Sequence, residues 1–171
     1  MKSLCLVAHP DDCVIFALSY IHHHPDYDWT IGYLTYTKQD PRGAELEQFW
    51  QRRGIPCVFL GFEDHWHDNE QKQFTRWLEE TADSACWRLA RTYDLVLTHN
   101  ETGDYGHIHH ALVHRAVHWH PRLVTFAPPG QGTVTYSLPP DTYSIDELPL
   151  HGKIVRGFHP TTHQNSYKEL K

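Results

Sequence analysis

Ser3-Leu4-Cys5-Leu6-Val7-Ala8-His9-Pro10-Asp11-Asp12 is the stretch that decides the fold. Its apolar part is short and unbroken by polar residues, which reads as a strand buried on both faces. A helix follows over residues 12–22, with Asp11 or Asp12 placed to cap it. The tip of this first strand therefore carries an imidazole and two adjacent carboxylates. Together they supply a nitrogen ligand, an oxygen ligand and a spare base, which is what a hydrolytic metal site requires.

The pattern continues outward from that unit. Trp29–Thr37 is rich in β-branched and aromatic residues and reads as a second strand, and Arg42–Arg53 places Leu46, Phe49 and Trp50 at helical spacing before Gly54 ends it. Ile55–Phe62 reads as a third strand, and Gln71–Thr92 as a long helix with Phe74, Trp77, Leu78, Cys86 and Leu89 inward. Asp94–Thr98, a helix over 107–119 and a strand over Leu123–Ala127 complete the series. Strands and helices taking turns predict an α/β chain with a Rossmann-like three-layer fold and a mostly parallel sheet, with ligands beyond the carboxyl ends of the strands. From Pro128 the composition changes to Pro and Gly, with short extended pieces around Val134–Leu138. The expectation is one domain over residues 1–171, a core over about 1–127 and an irregular C-terminal cap over about 128–171.

Composition narrows the function classes. With 171 residues and 40% hydrophobic content the chain can bury one good core. Its net charge of −6 lacks the footprint of a nucleic-acid binder. No apolar run approaches the roughly 20 residues that span a bilayer, and the chain opens directly on strand-like sequence, so a soluble cytoplasmic protein is expected. Cys5, Cys13, Cys57 and Cys86 have no C-x-x-C spacing and read as reduced, mostly buried thiols. Sixteen histidines are many for this length. His22, His23, His24, His114, His118 and His120 are read as exposed bystanders.

A second group lies at Asp104-Tyr105-Gly106-His107-Ile108-His109-His110, after the fourth strand and entering a helix. Residues three apart on a helix share a face, so His107 and His110 address one point while His109 turns aside. Brought to His9 and Asp12, they give a His, Asp, His ligand set with a carboxylate and an imidazole to spare.

Taken together these residues resemble the LmbE-like, or PIG-L-type, de-N-acetylases, zinc enzymes that remove acetyl groups from N-acetylglucosamine-containing substrates. The family's (A/P)HPDD motif stands at residues 8–12 and its H-x-x-H motif at 107–110. An Arg-x-x-Glu pattern matches at Arg42 and Glu45, and Leu60-Gly61-Phe62 resembles the segment after the third strand. The likeness runs in order over residues 3–120. It implies His9, Asp12 and His110 as zinc ligands and Asp11 as general base. It also implies His107 as electrophilic or acid partner, Tyr105 as mobile oxyanion helper, and Arg42 as a contact to the hydroxyls of a small amino-sugar substrate. Ligand types alone do not separate zinc from ferrous iron.

Three positions depart from the family pattern. Cys13 stands where a Glu is usual, removing a carboxylate that could orient a ligand. His109 replaces the Asp of H-P-D-H, which leaves His107 to act as a neutral hydrogen-bond donor. Val14-Ile15-Phe16-Ala17 replaces a glycine-rich stretch, so a bulkier pocket floor and a small or unusual substrate are expected. Trp66, His65 and His67 form a rim loop that could meet a sugar, and His159 to Gln164 resembles a C-terminal His-x-Ser-Gln element that closes over the site.

Two other classes share some of these features. His9-x-Asp11 with a distant His matches the facial triad of iron oxygenases, which sit on all-β barrels. A metal-retaining but catalytically silent sugar- or nucleotide-binding module would also tolerate the changes at Cys13 and His109.

Overall fold

β1 (Lys2–Val7) is the central parallel strand of the sheet, and its alternating side chains divide the core in two. A computed structural model describes residues 1–64, 76–158 and 164–170, with 76–79 described by their backbone. Leu4, Leu6 and Ala8 pack with Ala82, Cys86, Leu112 and Val113 on one face of the sheet. Cys5 and Val7 pack with Leu18, Leu46, Phe49 and Trp50 on the other. A strand buried from both sides needs no polar alternation, which is why its sequence reads as a continuous apolar run.

Among the described residues seven strands form one sheet in the order β3-β2-β1-β4-β5-β7-β6. β2 (Asp28–Thr35), β3 (Cys57–Phe62), β4 (Leu95–Thr98) and β5 (Leu123–Ala127) join β1 in parallel. α1 (Leu18–His23) and α2 (Pro41–Gln51) follow β1 and β2, while α3 (Arg76–Ala90) and α4 (Ile108–Val117) follow β3 and β4. The chain steps from β1 to β2 and β3 on one side, then returns to lay β4 and β5 on the other. The loops leaving β1 and β4 therefore diverge, and the crevice between them is the topological switch point where such sheets bind ligands.

The tail adds two strands to this sheet. β7 (Gln164–Leu170) runs antiparallel to β5 and pairs on its far side with β6 (Val134–Ser137). Between them lie a 3-10 turn at Ile145–Glu147 and α5 (Gly152–Phe158). The turn carries a capping box from Ser144 and Glu147, and Glu147 also takes a two-pronged contact from Arg53 at 3.1 Å per prong.

β7 also completes the first helix. After Asp12 the chain makes a wide π-helical turn at Cys13–Ala17 before α1 begins. The Tyr167 hydroxyl sits inside this ladder, donating to the Phe16 carbonyl at 2.7 Å and accepting from the Tyr20 N–H at 3.1 Å. A side chain inserted between residues four apart is a known cause of such a turn. Asn165 serves the neighbouring Ile15 carbonyl through its Nδ2 at 2.9 Å.

Two sequence expectations are corrected here. His120 is buried, because its ring reaches back to the Tyr93 carbonyl at 3.1 Å; His24 and His114 are half-buried and bond the Tyr20 and His99 carbonyls. α4 begins at Ile108, one residue later than expected, with consequences for the site. Cys86 and Leu89 face the core as expected, whereas Phe74, Trp77 and Leu78 lie outside the described side chains. Replacing Tyr167 with Phe deprives the Tyr20 N–H and the Phe16 carbonyl of their partner. It is expected to cost about 1–3 kcal/mol, read as a lower urea midpoint at unchanged slope.

Candidate metal centre

Two loops of the switch point build the centre. At the end of β1 the Asp12 carboxylate turns back to accept the His9 N–H at 2.8 Å, so the tight turn fixes both ligands to each other. At the end of β4, His99 opens a loop folded around Asn100, whose Oδ1 accepts the Thr102 and Asp104 N–H groups at 3.0 and 2.9 Å. Gly103 in this loop has φ +72°, and a Cβ there would lie 2.4 Å from the His107 carbonyl, so glycine is required for the loop to close onto α4.

His9 Nδ1, Asp12 Oδ2 and His110 Nε2 form a nearly equilateral triangle. The sides are 3.2 Å from Asp12 to His9, 3.2 Å from Asp12 to His110 and 3.3 Å between the two imidazoles. Bonds of about 2.0 Å to a tetrahedral ion put neighbouring ligand atoms about 3.3 Å apart, so this donor set fits a zinc-class cation and leaves one coordination position open. All three residues are buried.

Carboxylates and imidazoles set one another's charge. Burial pushes the Asp12 carboxyl up, but the facing His110 and His9 more than offset it and hold it well below the usual range. Burial likewise depresses His110, yet Asp12 and Asp104 raise it to about 9. Asp104 accepts from His110 Nδ1 at 2.9 Å and faces His99 Nδ1 at 2.5 Å; against its burial, these two hold it down to about 2. His99 Nε2 in turn accepts the Ala8 N–H at 3.0 Å, so His99 carries its proton on Nδ1 and is neutral. A carboxylate behind a ligating imidazole fixes its ring and tautomer. Asp104 and His99 were not foreseen as functional residues. The sequence offers only their positions: His99 follows the last residue of β4, and Asp104 heads the second histidine group.

The structure brings Asp11, His107 and Tyr105 to the same crevice. Burial, foremost, and the neighbouring Asp12 raise the Asp11 carboxyl, while His151 and Arg42 pull it back; Arg42 Nη2 lies 3.7 Å from Asp11 Oδ1. His107 caps α4, its Nδ1 accepting the His109 N–H at 3.2 Å. Burial and then the surrounding imidazoles push His107 down to about 3, so the ring is neutral and its other nitrogen is a donor. The Tyr105 ring is exposed on the rim, 5.2 Å from the ring of His110.

One expectation fails. His109 does not turn aside, for its Nδ1 lies 2.9 Å from His9 Nε2. Because His107 is the cap with extended backbone, His109 and His110 both sit in the first helical turn. Cys13 points into the core, its Sγ 3.1 Å from the Tyr33 hydroxyl and 3.0 Å from the Trp50 Nε1 donor. The orienting carboxylate of the centre is instead Asp104.

Arg42 and Glu45 both engage His151 of the tail. Glu45 accepts the N–H groups of Leu150 and His151 at 2.7 and 3.1 Å and also contacts the His151 ring. Arg42 Nε donates to His151 Nε2 at 3.1 Å, and its Nη1 donates to the Tyr36 hydroxyl at 3.0 Å. The tail thus reaches the site through His151, a residue without a motif of its own. Phe16, Asp104, Tyr105, Phe126 and Phe158 border a cavity of about 480 Å³ beside the centre, floored partly by Phe16 as the bulkier sequence suggests. His65, Trp66, His67 and the segment 159–163 lie outside the described residues.

Asp104→Asn is expected to weaken zinc binding about 10- to 100-fold, measured by chelator competition. A proton held on His110 up to about pH 9 must leave before its Nε2 can ligate. Metal-free protein should therefore release about one proton per zinc near neutral pH, and its affinity should fall as pH is lowered. Titration in buffers of differing ionisation enthalpy reads that proton.

Comparison with known proteins bears on the fold and the family. No curated protein matches the chain significantly. Among solved structures, the 4-carboxy-2-hydroxymuconate hydratase GalB of Pseudomonas putida KT2440 shares the fold with TM-score 0.67 and 14% identity, covering 100% of this chain and 97% of that one. A deacetylase of teicoplanin biosynthesis, solved as a triple mutant, gives 0.62 and 11%, with coverage of 100% and 99%. A zinc-inhibited form of teicoplanin deacetylase gives 0.56 and 11%, again covering 100% and 99%. The PIG-L profile, described as GlcNAc-PI de-N-acetylase, matches residues 4–119, a span that holds both groups of metal-facing residues, and the chain belongs to that family.

Proposed function

We propose that this chain is a zinc-dependent hydrolase that removes an N-acetyl or related N-acyl group from an amino sugar or sugar conjugate. The observation that carries the reading is the ligand triangle of His9, Asp12 and His110 with Asp11, a carboxylate outside that triangle, adjoining it in the chain. Family membership supports a deacetylase. The fold alone does not decide the chemistry, since a hydratase shares it.

A zinc-class ion on this triangle supplies Lewis acidity toward the amide carbonyl and lowers the pKa of water toward about 7. Asp11 takes the proton of the attacking water and passes it to the departing amine. Its raised affinity for a proton suits that exchange, and Arg42 beside it opposes the rise. His107 donates to the oxygen on which charge develops, and Tyr105 joins it from the rim; one well-aimed donor is worth on the order of 3 kcal/mol. Arg42, held by His151 and Tyr36, is placed to meet substrate hydroxyls. The cavity along Phe16 and Phe158 takes the remainder of a small substrate.

The α/β fold disfavours the iron-oxygenase reading, whose triads belong to β-barrels, and an intact Asp11 disfavours a silent binding module. Among the described residues no helix is long and apolar enough to cross a membrane. Zinc-loaded protein is expected to release acetate from N-acetylglucosamine derivatives. Asp11→Asn should lower kcat by about 10²- to 10⁴-fold while retaining zinc by elemental analysis. Absence of amide cleavage by the zinc-loaded wild type across a panel of N-acylated sugars would overturn the assignment.

A further inference from the structure

We propose that His9 Nε2, His107, His109 and Asp64 form a second site for a zinc-class cation, which shares the His9 ring with the first. Three imidazoles, of His9, His107 and His109, present ligand nitrogens within 4.8 Å of one another, and all three residues are buried. Asp64 stands just beyond β3 and supplies the oxygen ligand. Its Oδ2 accepts from the Tyr36 hydroxyl at 3.1 Å, and this contact helps set the carboxylate so that Oδ1 is buried with no hydrogen-bond partner among the described residues. A buried carboxylate oxygen left unsatisfied is costly, and a cation is one way of satisfying it.

Distances around Asp64 Oδ1 favour an ion over a hydrogen bond. His109 Nδ1 lies 3.8 Å away and His9 Nε2 3.9 Å away, too far for a proton to be shared. His9 Nε2 and His109 Nδ1 are 2.9 Å apart. These three edges straddle the roughly 3.3 Å expected between ligands of one tetrahedral ion with bonds of about 2.0–2.1 Å. A set of imidazoles with one carboxylate favours zinc and its neighbours over magnesium or calcium.

His9 spans both positions, with Nδ1 toward Asp12 and His110 and Nε2 toward His109. Occupancy of both removes the remaining ring proton of His9 to solvent. Two bonds of about 2 Å plus the width of the ring separate the ions by about 6 Å. That exceeds the 3.5–4 Å of bimetallic hydrolytic centres, so the second ion does not share the reacting water. It draws His107 away from the substrate oxygen, and the site therefore acts as a metal-loaded brake on the activity proposed above, on which this consequence rests.

Equilibrium dialysis against zinc, followed by elemental analysis, tests the assignment. Wild type should bind two ions per chain, and Asp64→Asn and His109→Ala one each, with the lost ion the weaker one. One ion on wild type, or two retained by both variants, overturns the second site. No bound ion at all would take the hydrolase reading down as well, so the two failures are distinct. Copper as a spectroscopic substitute needs no variant: two ions bridged through the His9 ring lose paramagnetic signal by coupling, whereas two independent signals would refute the bridge.

Discussion

One carboxylate oxygen, Asp12 Oδ2, holds the centre together. It accepts the His9 N–H, lies 3.2 Å from both His9 Nδ1 and His110 Nε2, and stands 3.5 Å from His99 Nε2. Through its contacts with the two imidazoles it ties the loop after β1 to the first turn of α4. Buried charge of this kind is tolerable only when it is compensated, and in the metal-free protein His110 provides the compensation as an imidazolium. A divalent cation bound there would take over that duty by displacing a proton, which would couple metal uptake to pH.

The end of the chain reaches this centre by two routes. Tyr167 and Asn165 of β7 satisfy carbonyls of the π-helical turn that immediately follows Asp12. His151 stands between Glu45 and Arg42 and so connects the segment after the 3-10 turn to the guanidinium beside Asp11. The proposed base and the turn that presents it are thus both buttressed by residues more than a hundred positions downstream. The family profile ends at residue 119, whereas these supports lie beyond it.

Much of this was legible in the sequence, for a physical reason. Strands buried on both faces announce themselves as apolar runs, and helices between them by a repeat near 3.6, so the order of β1 to β5 and the α/β class follow from patterns a few residues long. The placement of His9, Asp11 and Asp12 at a strand tip, and of His107 and His110 at a helix start, is equally local. Tertiary structure alone decided what depends on contacts between distant segments. His99 and Asp104 lack a motif and gain meaning only because β4 pairs with β1. His109 turns inward because the helix starts at Ile108, a boundary set by the cap at His107. β7 is a polar strand whose value lies in pairing with β5 and in the reach of Tyr167, and neither leaves a periodic trace in the chain. Local sequence specifies elements and their chemical ends, while the sheet's topology determines which ends meet.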